Sequence, residues 1–327
     1  MKDPVPTISI VMPCYNEAKF IKNSIESLID KFFLKNCELI VVDGMSKDGT
    51  RDIVKSFITA GLPVILLNNK ERFQAYGLNL GISRAKGKII IRTDAHCLYP
   101  NEYIKRCVEL LKKTKASNVG GVMFPKGTSI VQKAIAMAMQ HPVGVGDAKF
   151  HLGNYTGYVD TVFLGTFWRQ LFDEIGEYDA NSNPNEDAEL NLRILKAGKK
   201  IYLDSSIKII YFPRESLKEL ALQYFRYGRG RCYTTLKHKR ITSFRQVGPV
   251  VLVMSIFLSI ILSIWQPLFL FLPLFYFFSM LVTAFCIWPE KSHALKLRLL
   301  IGIVFCVMHI SWGAGFLSGL ICQKKSK

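Results

Sequence analysis

Residues 89–97 read Ile-Ile-Ile-Arg-Thr-Asp-Ala-His-Cys, and this stretch sets the prediction for the whole fold. It begins as an apolar, β-branched run, which predicts a buried strand. It ends with Asp94 and His96, whose i, i+2 spacing places both side chains on one face of an extended strand end. Taken alone, the pattern also fits a strand followed by a solvated turn. A carboxylate oxygen and an imidazole nitrogen can bind a divalent cation that shares phosphate and water ligands, so we predict a metal site here.

Strand and helix patterns alternate through the first half of the chain. Apolar runs at Thr7–Met12, Glu38–Val42 and Val64–Leu67 predict three strands ahead of the one at residue 89, with helical periodicity between them. This order predicts an α/β fold with a mostly parallel sheet covered by helices on both faces. Polar loops follow successive strands and meet at one edge, where such folds bind nucleotides. The sequence has no glycine-rich phosphate loop, so we expect a metal to hold the phosphates.

The charge of the chain is strongly positive and unevenly distributed. The formal net charge is +18, and lysines and arginines greatly outnumber acidic residues between positions 208 and 245. A basic surplus beside a membrane segment attracts anionic lipid headgroups and marks the cytoplasmic side. Nucleic-acid binding is the alternative explanation of such charge. We expect no nucleic-acid partner, because the sequence contains no recognisable nucleic-acid module.

Three apolar runs after residue 246 predict membrane-spanning helices. They cover about 247–265, 268–288 and 299–321. Runs of this length match a hydrocarbon core of ~30 Å. The third run carries Ser311, Gly315 and Gly319 at a spacing that favours close helix packing. The short link Gln266-Pro267 predicts that the first two runs form a hairpin, and the basic loop at 290–298 places its ends on the cytoplasmic side. Three full crossings would then leave the C-terminal lysines outside, so either the third run is re-entrant or the positive-inside rule is overridden.

We therefore expect three parts along the chain. These are a cytosolic α/β domain at 1–214, a basic amphipathic helix and linker at 215–246, and a membrane domain at 247–327. The expected location is the cell (plasma) membrane, with a multi-pass anchor and the α/β domain on the cytoplasmic face. The eight cysteines have no zinc-binding spacing and are expected to be reduced. We expect no signal peptide, because the first residues lead directly into a strand.

Four motifs occur in a fixed order along this chain. They are Pro-Cys-Tyr-Asn-Glu at 13–17, Val-Asp-Gly-Met-Ser-Lys-Asp-Gly-Thr at 42–50, Arg-Thr-Asp-Ala-His at 92–96 and Asn-Glu-Asp-Ala-Glu-Leu at 185–190. Together they resemble the family 2 glycosyltransferases over about residues 7–230. The resemblance implies the GT-A fold and inverting sugar transfer. The complete layout is similar to that of bacterial exopolysaccharide enzymes of the succinoglycan β-glucosyltransferase type.

The resemblance assigns roles to the first two motifs. It implies that Pro13, Tyr15, Asn16 and Glu17 form the floor of a uridine pocket. It implies that Asp43 accepts a hydrogen bond from uracil.

The resemblance also assigns roles to the other two motifs. Asp94 would lie near the ribose and the metal, and His96 stands where the family usually has an aspartate. Imidazole suits Mn²⁺ better than Mg²⁺, so the expected cofactor is a divalent cation, Mn²⁺ or Mg²⁺. Asp187 would be the general base, with Glu186 as the alternative. Carboxylates in the first turn of a helix are also favoured by the helix dipole alone.

A further motif lies among the basic residues. The sequence Gln-Tyr-Phe-Arg-Tyr at 223–227 resembles the Gln-x-x-Arg-Trp motif of membrane-bound polysaccharide synthases, with tyrosine in place of tryptophan. The resemblance implies that Gln223, Arg226 and Arg229 bind the nucleotide sugar, since arginine pairs well with a diphosphate. The alternative is the basic end of an amphipathic helix on the bilayer surface.

These inferences predict a metal-dependent hexosyltransferase. The expected reaction moves a sugar from a UDP-sugar, most simply UDP-glucose, to a hydroxyl of a lipid-linked or growing saccharide, forming a β-linkage in exopolysaccharide or cell-surface glycan synthesis. Two alternatives stay open: sugar transfer to a polyprenyl phosphate, and a non-catalytic nucleotide-binding membrane scaffold. The expected partners are the donor, the lipid-linked acceptor, the membrane and components of a polysaccharide assembly complex.

Overall fold

A computed structural model describes residues 6–240, 246–287 and 294–323 of the chain. Residues 290–293 of the expected basic loop, the linker at 241–245 and the C-terminal lysines lie outside these residues. The chain divides into two compact units. The first combines Met1–Phe124 with Lys149–Tyr211, and the second combines Pro125–Ala148 with Phe212–Lys327.

The first unit is built on one sheet. Its strands are β1 (Ile8–Cys14), β2 (Cys37–Asp43), β3 (Val64–Asn68), β4 (Ile89–Arg92), β5 (Cys97–Leu98), β6 (Asn118–Pro125), β7 (Gly157–Val159), β8 (Phe163–Trp168) and β9 (Ile201–Tyr211). The spatial order is β3-β2-β1-β4-β8-β6-β9-β5, with β7 paired to β9. The sheet therefore continues beyond the first four strands of the chain.

The first four strands run parallel, as the alternating pattern predicts. Strand β8 pairs antiparallel with both β4 and β6, so the complete sheet is mixed. The register places Cys14 opposite Asp43, and Asp43 opposite Asn68. The carboxyl ends of β1, β2 and β3 therefore reach the same edge, as the GT-A resemblance implies.

Helices surround this sheet and make up most of the second unit. In chain order they are α1 (Ile21–Leu28), α2 (Lys31–Asn36), α3 (Thr50–Thr59), α4 (Gln74–Arg84), α5 (Tyr103–Thr114), α6 (Ile130–Ala138), α7 (Pro142–Val145), α8 (Lys149–Leu152), α9 (Gln170–Ile175), α10 (Glu186–Lys196), α11 (Leu217–His238), α12 (Gly248–Leu262), α13 (Phe271–Cys286) and α14 (Ala294–Gln323).

The core of the first unit lies on both sides of the sheet. On one side, Val11 and Ile40 pack in a cluster that includes Leu78 of α4 and Leu190 of α10. Ile10, the neighbour of Val11, points to the opposite side and is also fully buried. Every residue of β2 is buried, which is why its central residues 39–42 form a continuous apolar run rather than an alternating one.

The second unit is organised around the long helix α14. A Cβ atom added at Gly315 would lie 2.0 Å from the carbonyl oxygen of Phe225, and one added at Gly228 would lie 2.0 Å from that of Trp312. Helices α11 and α14 therefore touch backbone to backbone. The prediction of close packing at Gly315 and Gly319 is confirmed, and the partner at this face is α11.

Two helical segments of this unit are candidate membrane spans. Pro267–Cys286 and Leu295–Cys322 are long and apolar enough to cross a bilayer by length and composition. Helix α12 is apolar but shorter, with 15 residues, and at the helical rise it reaches only ~22 Å. Large apolar side chains are exposed along α12 and α13, including Phe257 and Phe278, and Trp265 is exposed between these two helices.

Candidate active site

The loops that follow β1 and β2 are joined by a series of hydrogen bonds. The backbone N–H of Asn16 donates to Ser46 Oγ (2.8 Å), and the Asn16 side-chain oxygen accepts from the N–H of Lys47 (3.0 Å). The N–H of Glu17 donates to Thr50 Oγ1 (2.8 Å). These contacts bring the 13–17 and 42–50 motifs together at the carboxyl edge of the sheet.

Three residues in these two loops and in the loop after β3 have a strained backbone. Asn16, Met45 and Arg72 have φ angles of 55°, 65° and 61°, in the left-handed region that non-glycine residues seldom adopt. They lie in the loops after β1, β2 and β3. Such conformations cost of order 1–3 kcal/mol each and are typical of ligand-binding sites, where the surrounding structure holds them in place.

Asp43 is fully buried and ion-paired. Its Oδ2 atom lies 2.6 Å from Arg51 Nη1 and accepts a hydrogen bond from the N–H of Ser46 (3.0 Å). Arg51 is not among the site residues predicted from the sequence. A cation in the first turn of a helix is on the unfavourable side of the helix dipole, and that placement was a usable signal. Burial, together with the nearby charge of Asp43, raises the pKa of the Cys14 thiol, which stays protonated.

Asp94 is held by side chains from several segments. Its Oδ1 atom accepts from Gln74 Nε2 (3.2 Å) and Arg92 Nη2 (3.3 Å). Its backbone N–H donates to the Tyr99 hydroxyl (2.7 Å), and that hydroxyl donates to the Asp94 carbonyl (2.9 Å). Ser24 Oγ also donates to this carbonyl (3.1 Å). The Asp94 carboxylate therefore has a fixed position at the end of β4.

His96 contacts the first motif. Its Nδ1 atom lies 3.1 Å from Glu17 Oε1, and its ring packs edge-on against Tyr211 at 5.4 Å between centroids. Metal-binding histidines usually donate their second ring N–H to a carboxylate, which fixes the ring. Glu17 is placed to play this part if Nε2 is the metal ligand.

The residues at this edge fit a cation that takes most of its ligands from a phosphate group. No cluster of three or more acidic, histidine or cysteine ligands occurs in the described parts of the chain. The side-chain contacts of Asp94 use Oδ1, which leaves Oδ2 for a metal beside the imidazole of His96. A carboxylate and an imidazole together suit Mn²⁺.

The fourth motif places two carboxylates in different environments at the start of α10. The Asp187 side chain is 39% exposed and its Oδ2 contacts Arg92 Nη1. Glu186 is buried, with Oε1 4.0 Å from Arg92 Nη2. Burial raises the pKa of Glu186, and the charge of Arg92 offsets this only in part. Asp187 is therefore the carboxylate that an incoming molecule can reach.

All four motifs are thus linked by side-chain contacts within the first unit. The 13–17 turn binds the 42–50 loop, Glu17 meets His96, and Arg92 joins Asp94 to Asp187. Tyr15 is half-exposed at this edge, and the Arg72 guanidinium lies over its ring at 5.9 Å.

The remaining predicted site residues belong to the second unit. Gln223 Nε2 donates to the Tyr227 hydroxyl (2.9 Å) on α11, and Arg226 and Arg229 are exposed on the same helix. Their binding of the nucleotide sugar stays a prediction.

The parallel strands, the polar loops at their carboxyl ends and the carboxylate pair on α10 define a GT-A glycosyltransferase fold. The sequence profile of Glycosyl transferase family 2 matches residues 9–176. The chain is 32% identical over 310 residues to the succinoglycan biosynthesis protein ExoA of Rhizobium meliloti (strain 1021), covering 94% of this chain and 93% of that protein. The chain belongs to glycosyltransferase family 2 and is a glycosyltransferase.

Other similar proteins agree with this assignment. A dolichyl N-acetyl-α-D-glucosaminyl phosphate 3-β-D-2,3-diacetamido-2,3-dideoxy-β-D-glucuronosyltransferase of Methanococcus voltae is 26% identical over 233 residues, 68% of this chain and 72% of that protein. The mannosyltransferase PcManGT of Pyrobaculum calidifontis, solved with GDP-Man and Mn²⁺, has a TM-score of 0.61 at 17% identity, covering 97% of this chain and 88% of that one. S. aureus TarS 1–349, solved with UDP, has a TM-score of 0.50, also at 17% identity, over 98% of this chain and 92% of that one.

Proposed function

We propose that this enzyme is an inverting glycosyltransferase that moves a sugar from a UDP-sugar to a hydroxyl group of a lipid-linked or growing saccharide. The observation that carries the proposal is the Asp187–Arg92–Asp94 arrangement, in which one arginine joins an exposed carboxylate to a carboxylate at the predicted donor site. The similarity to a succinoglycan biosynthesis protein supports a role in exopolysaccharide or cell-surface glycan synthesis. UDP-glucose is the donor we propose first.

The proposed reaction is a single displacement. Asp187 accepts the proton of the acceptor hydroxyl as that oxygen attacks the anomeric carbon, and the bond to the diphosphate breaks on the opposite face. An α-linked donor then gives a β-linked product. The transition state has oxocarbenium character, as in glycoside hydrolysis.

The second requirement of this reaction is that the negative charge on the departing diphosphate be neutralised. A divalent cation at Asp94 and His96 would neutralise part of that charge. The 13–17 turn and Asp43 would bind the uridine part of the donor. Arg51 would hold the buried Asp43 side chain in place for this role. In the second unit, a role of Gln223, Arg226 and Arg229 in binding the nucleotide sugar is proposed from their sequence motif.

We also propose that the enzyme is a multi-pass protein of the cell membrane with its catalytic domain on the cytoplasmic face. The apolar helices α13 and α14 and the exposed apolar side chains of α12 support membrane attachment. The basic residues that precede them support the cytoplasmic orientation. Retention of the full-length protein in membranes through a carbonate wash is the expected result, and its release into the wash contradicts membrane insertion.

A donor screen tests the proposed activity. Full-length protein in detergent is incubated with UDP-glucose, other UDP-sugars and GDP-mannose in the presence of Mn²⁺. Each donor is tested without an acceptor, with a lipid-linked saccharide and with polyprenyl phosphate, and nucleotide release is measured. We expect release from a UDP-sugar that a lipid-linked saccharide accelerates. Release only from GDP-mannose contradicts the donor assignment. Acceleration by polyprenyl phosphate alone favours the phosphate acceptor, and no turnover with any donor favours a non-catalytic scaffold.

A further inference from the structure

Arg92 is a buried arginine at the start of the 92–96 motif, and no role is predicted for it from the sequence. It is the last residue of β4 and is only 5% exposed. A buried guanidinium must be paired, because an uncompensated charge in the interior is strongly destabilising. The partners of Arg92 therefore indicate what it does.

The two terminal nitrogens of Arg92 bind different carboxylates. Nη1 contacts Asp187 Oδ2, and Nη2 lies 3.3 Å from Asp94 Oδ1. Arginine can hold two carboxylates in fixed relative directions because its guanidinium is planar and carries several N–H groups, whereas a lysine ammonium is a single point charge. One side chain thus sets the position of Asp187 relative to Asp94.

The rest of this cluster is incompletely paired. Arg92 Nε and Glu186 Oε2 are buried and have no hydrogen-bond partner among the residues that the structure describes. Buried polar groups in native proteins are nearly always satisfied, so an exception needs an explanation. The explanation here is that binding to Asp94 and Asp187 fixes the guanidinium in an orientation that leaves Arg92 Nε without a hydrogen-bond partner.

We propose that Arg92 is a positioning residue for sugar transfer, which orients the Asp187 carboxylate relative to the donor site at Asp94. This inference rests on the function proposed above. Because Oδ2 of Asp187 is bound to Arg92, the acceptor proton goes to Oδ1. Arg92 contributes to the rate of transfer through the placement of Asp187, and donor binding depends on it much less.

The substitution Arg92→Lys tests this role, because it keeps the positive charge and removes the double contact. In full-length protein we expect kcat to fall about 10²-fold, the typical effect of misplacing a catalytic group by about 1 Å. The KM for the donor and the Kd for UDP, measured by calorimetry, should change less than about threefold. Arg106→Lys is the matched control, since Arg106 also pairs with an aspartate, Asp204, at 3.2 Å but lies on α5. It should leave both constants unchanged.

A double variant separates action through Asp187 from any other effect. Asp187→Asn combined with Arg92→Lys should be about as slow as Asp187→Asn alone, because the single change already removes the group that Arg92 positions. Losses that multiply, or a raised KM with unchanged kcat in Arg92→Lys, overturn the proposal. If Asp187→Asn retains full transfer, the base assignment fails as well. If Asp187→Asn is slow and Arg92→Lys is normal, only the role of Arg92 is overturned.

Discussion

The imidazole Nδ1 of His96 lies 3.1 Å from Oε1 of Glu17. This contact joins the loop after β1 to the segment after β4, and it fixes the orientation of the histidine ring. Sequence motifs place these two residues at the same edge of the sheet but give no indication that they touch. The contact makes Glu17 part of the predicted metal site rather than of the uridine pocket alone.

Metal removal should therefore abolish transfer. We expect activity to be lost in EDTA and to return more strongly with Mn²⁺ than with Ca²⁺, because a site with an imidazole ligand disfavours Ca²⁺. Replacing His96 with aspartate should shift the preference toward Mg²⁺. Full activity in the presence of the chelator contradicts the metal assignment.

The substitution Glu17→Gln tests the indirect contribution of Glu17. Loss of a carboxylate that orients a metal-binding histidine typically lowers metal affinity about 10–100-fold. Mn²⁺ binding in the presence of UDP is followed by electron paramagnetic resonance, which needs no turnover. Glu26→Gln is the control, since Glu26 forms an exposed pair with Lys22 on α1. Equal Mn²⁺ affinity in the two variants contradicts a role for Glu17 at the metal.

The pairing of Arg51 with Asp43 should contribute strongly to stability. Removing one partner of a buried ion pair costs about 3 kcal/mol or more, and Asp43 has no exposed side-chain surface. For Arg51→Met we expect a fall in melting temperature of roughly 10 °C, given a domain of this size. Lys55→Met, on the same helix, breaks the exposed pair with Asp52 and should change it little. Equal effects of the two substitutions rule out a structural role for the Asp43–Arg51 pair.

The sequence predicted the part of the fold that depends on local patterns. The alternation of strand and helix patterns predicted that β1 to β4 run parallel, and the spacing of small residues predicted the close packing of α14. It did not predict that β8 joins the sheet next to β4, because antiparallel pairing between distant strands leaves no local pattern. Likewise, the grouping of Pro125–Ala148 with the C-terminal helices depends on long-range contacts such as that of His309 Nε2 with the Val143 carbonyl (2.7 Å).

The candidate site was accessible to sequence reasoning only in part. The four motifs indicated which segments meet, because the carboxyl ends of parallel strands share an edge. The arginines that pair with the carboxylates were not predictable in the same way. Arg92 is predicted only as the end of an apolar strand, and the place of Arg51 in the first turn of α3 indicates a partner without identifying it. The folded chain shows that each binds a buried aspartate.

The base assignment predicts a specific kinetic result for Asp187→Asn. General base catalysis contributes roughly 10²–10⁴-fold, so transfer should fall by about that factor while UDP affinity stays within a few-fold. Asp94→Asn should instead weaken binding of the UDP-sugar, because it removes a proposed metal ligand. Near-normal transfer by Asp187→Asn contradicts the single-displacement mechanism with this base.

Glu186→Gln provides the complementary test, and it should retain most of the transfer activity. It also has an effect on stability whose sign follows from the raised pKa of Glu186. The folded state binds the Glu186 proton more tightly than the unfolded state does. As the pH rises above about 4.5, the unfolded state loses this proton first, and Glu186 then lowers the free energy of unfolding. The melting temperature of Glu186→Gln should therefore exceed that of the wild type at pH 7 and match it at pH 4. An inactive Glu186→Gln with an active Asp187→Asn reverses the assignment of the base.

The close contact of α11 and α14 should make Gly315 intolerant of any side chain. An added Cβ would lie 2.0 Å from the carbonyl oxygen of Phe225, an atom of the backbone that cannot rotate away. Overpacking of this kind costs about 1–3 kcal/mol, so Gly315→Ala should lower the melting temperature of the detergent-purified protein. Gly248→Ala is the matched control, because nothing lies within 4 Å of its added Cβ. Alanine favours a helix over glycine by about 0.5–1 kcal/mol, so this control should be neutral or slightly stabilising. If the two variants melt at the same temperature, the glycine face of α14 does not pack against α11 as described.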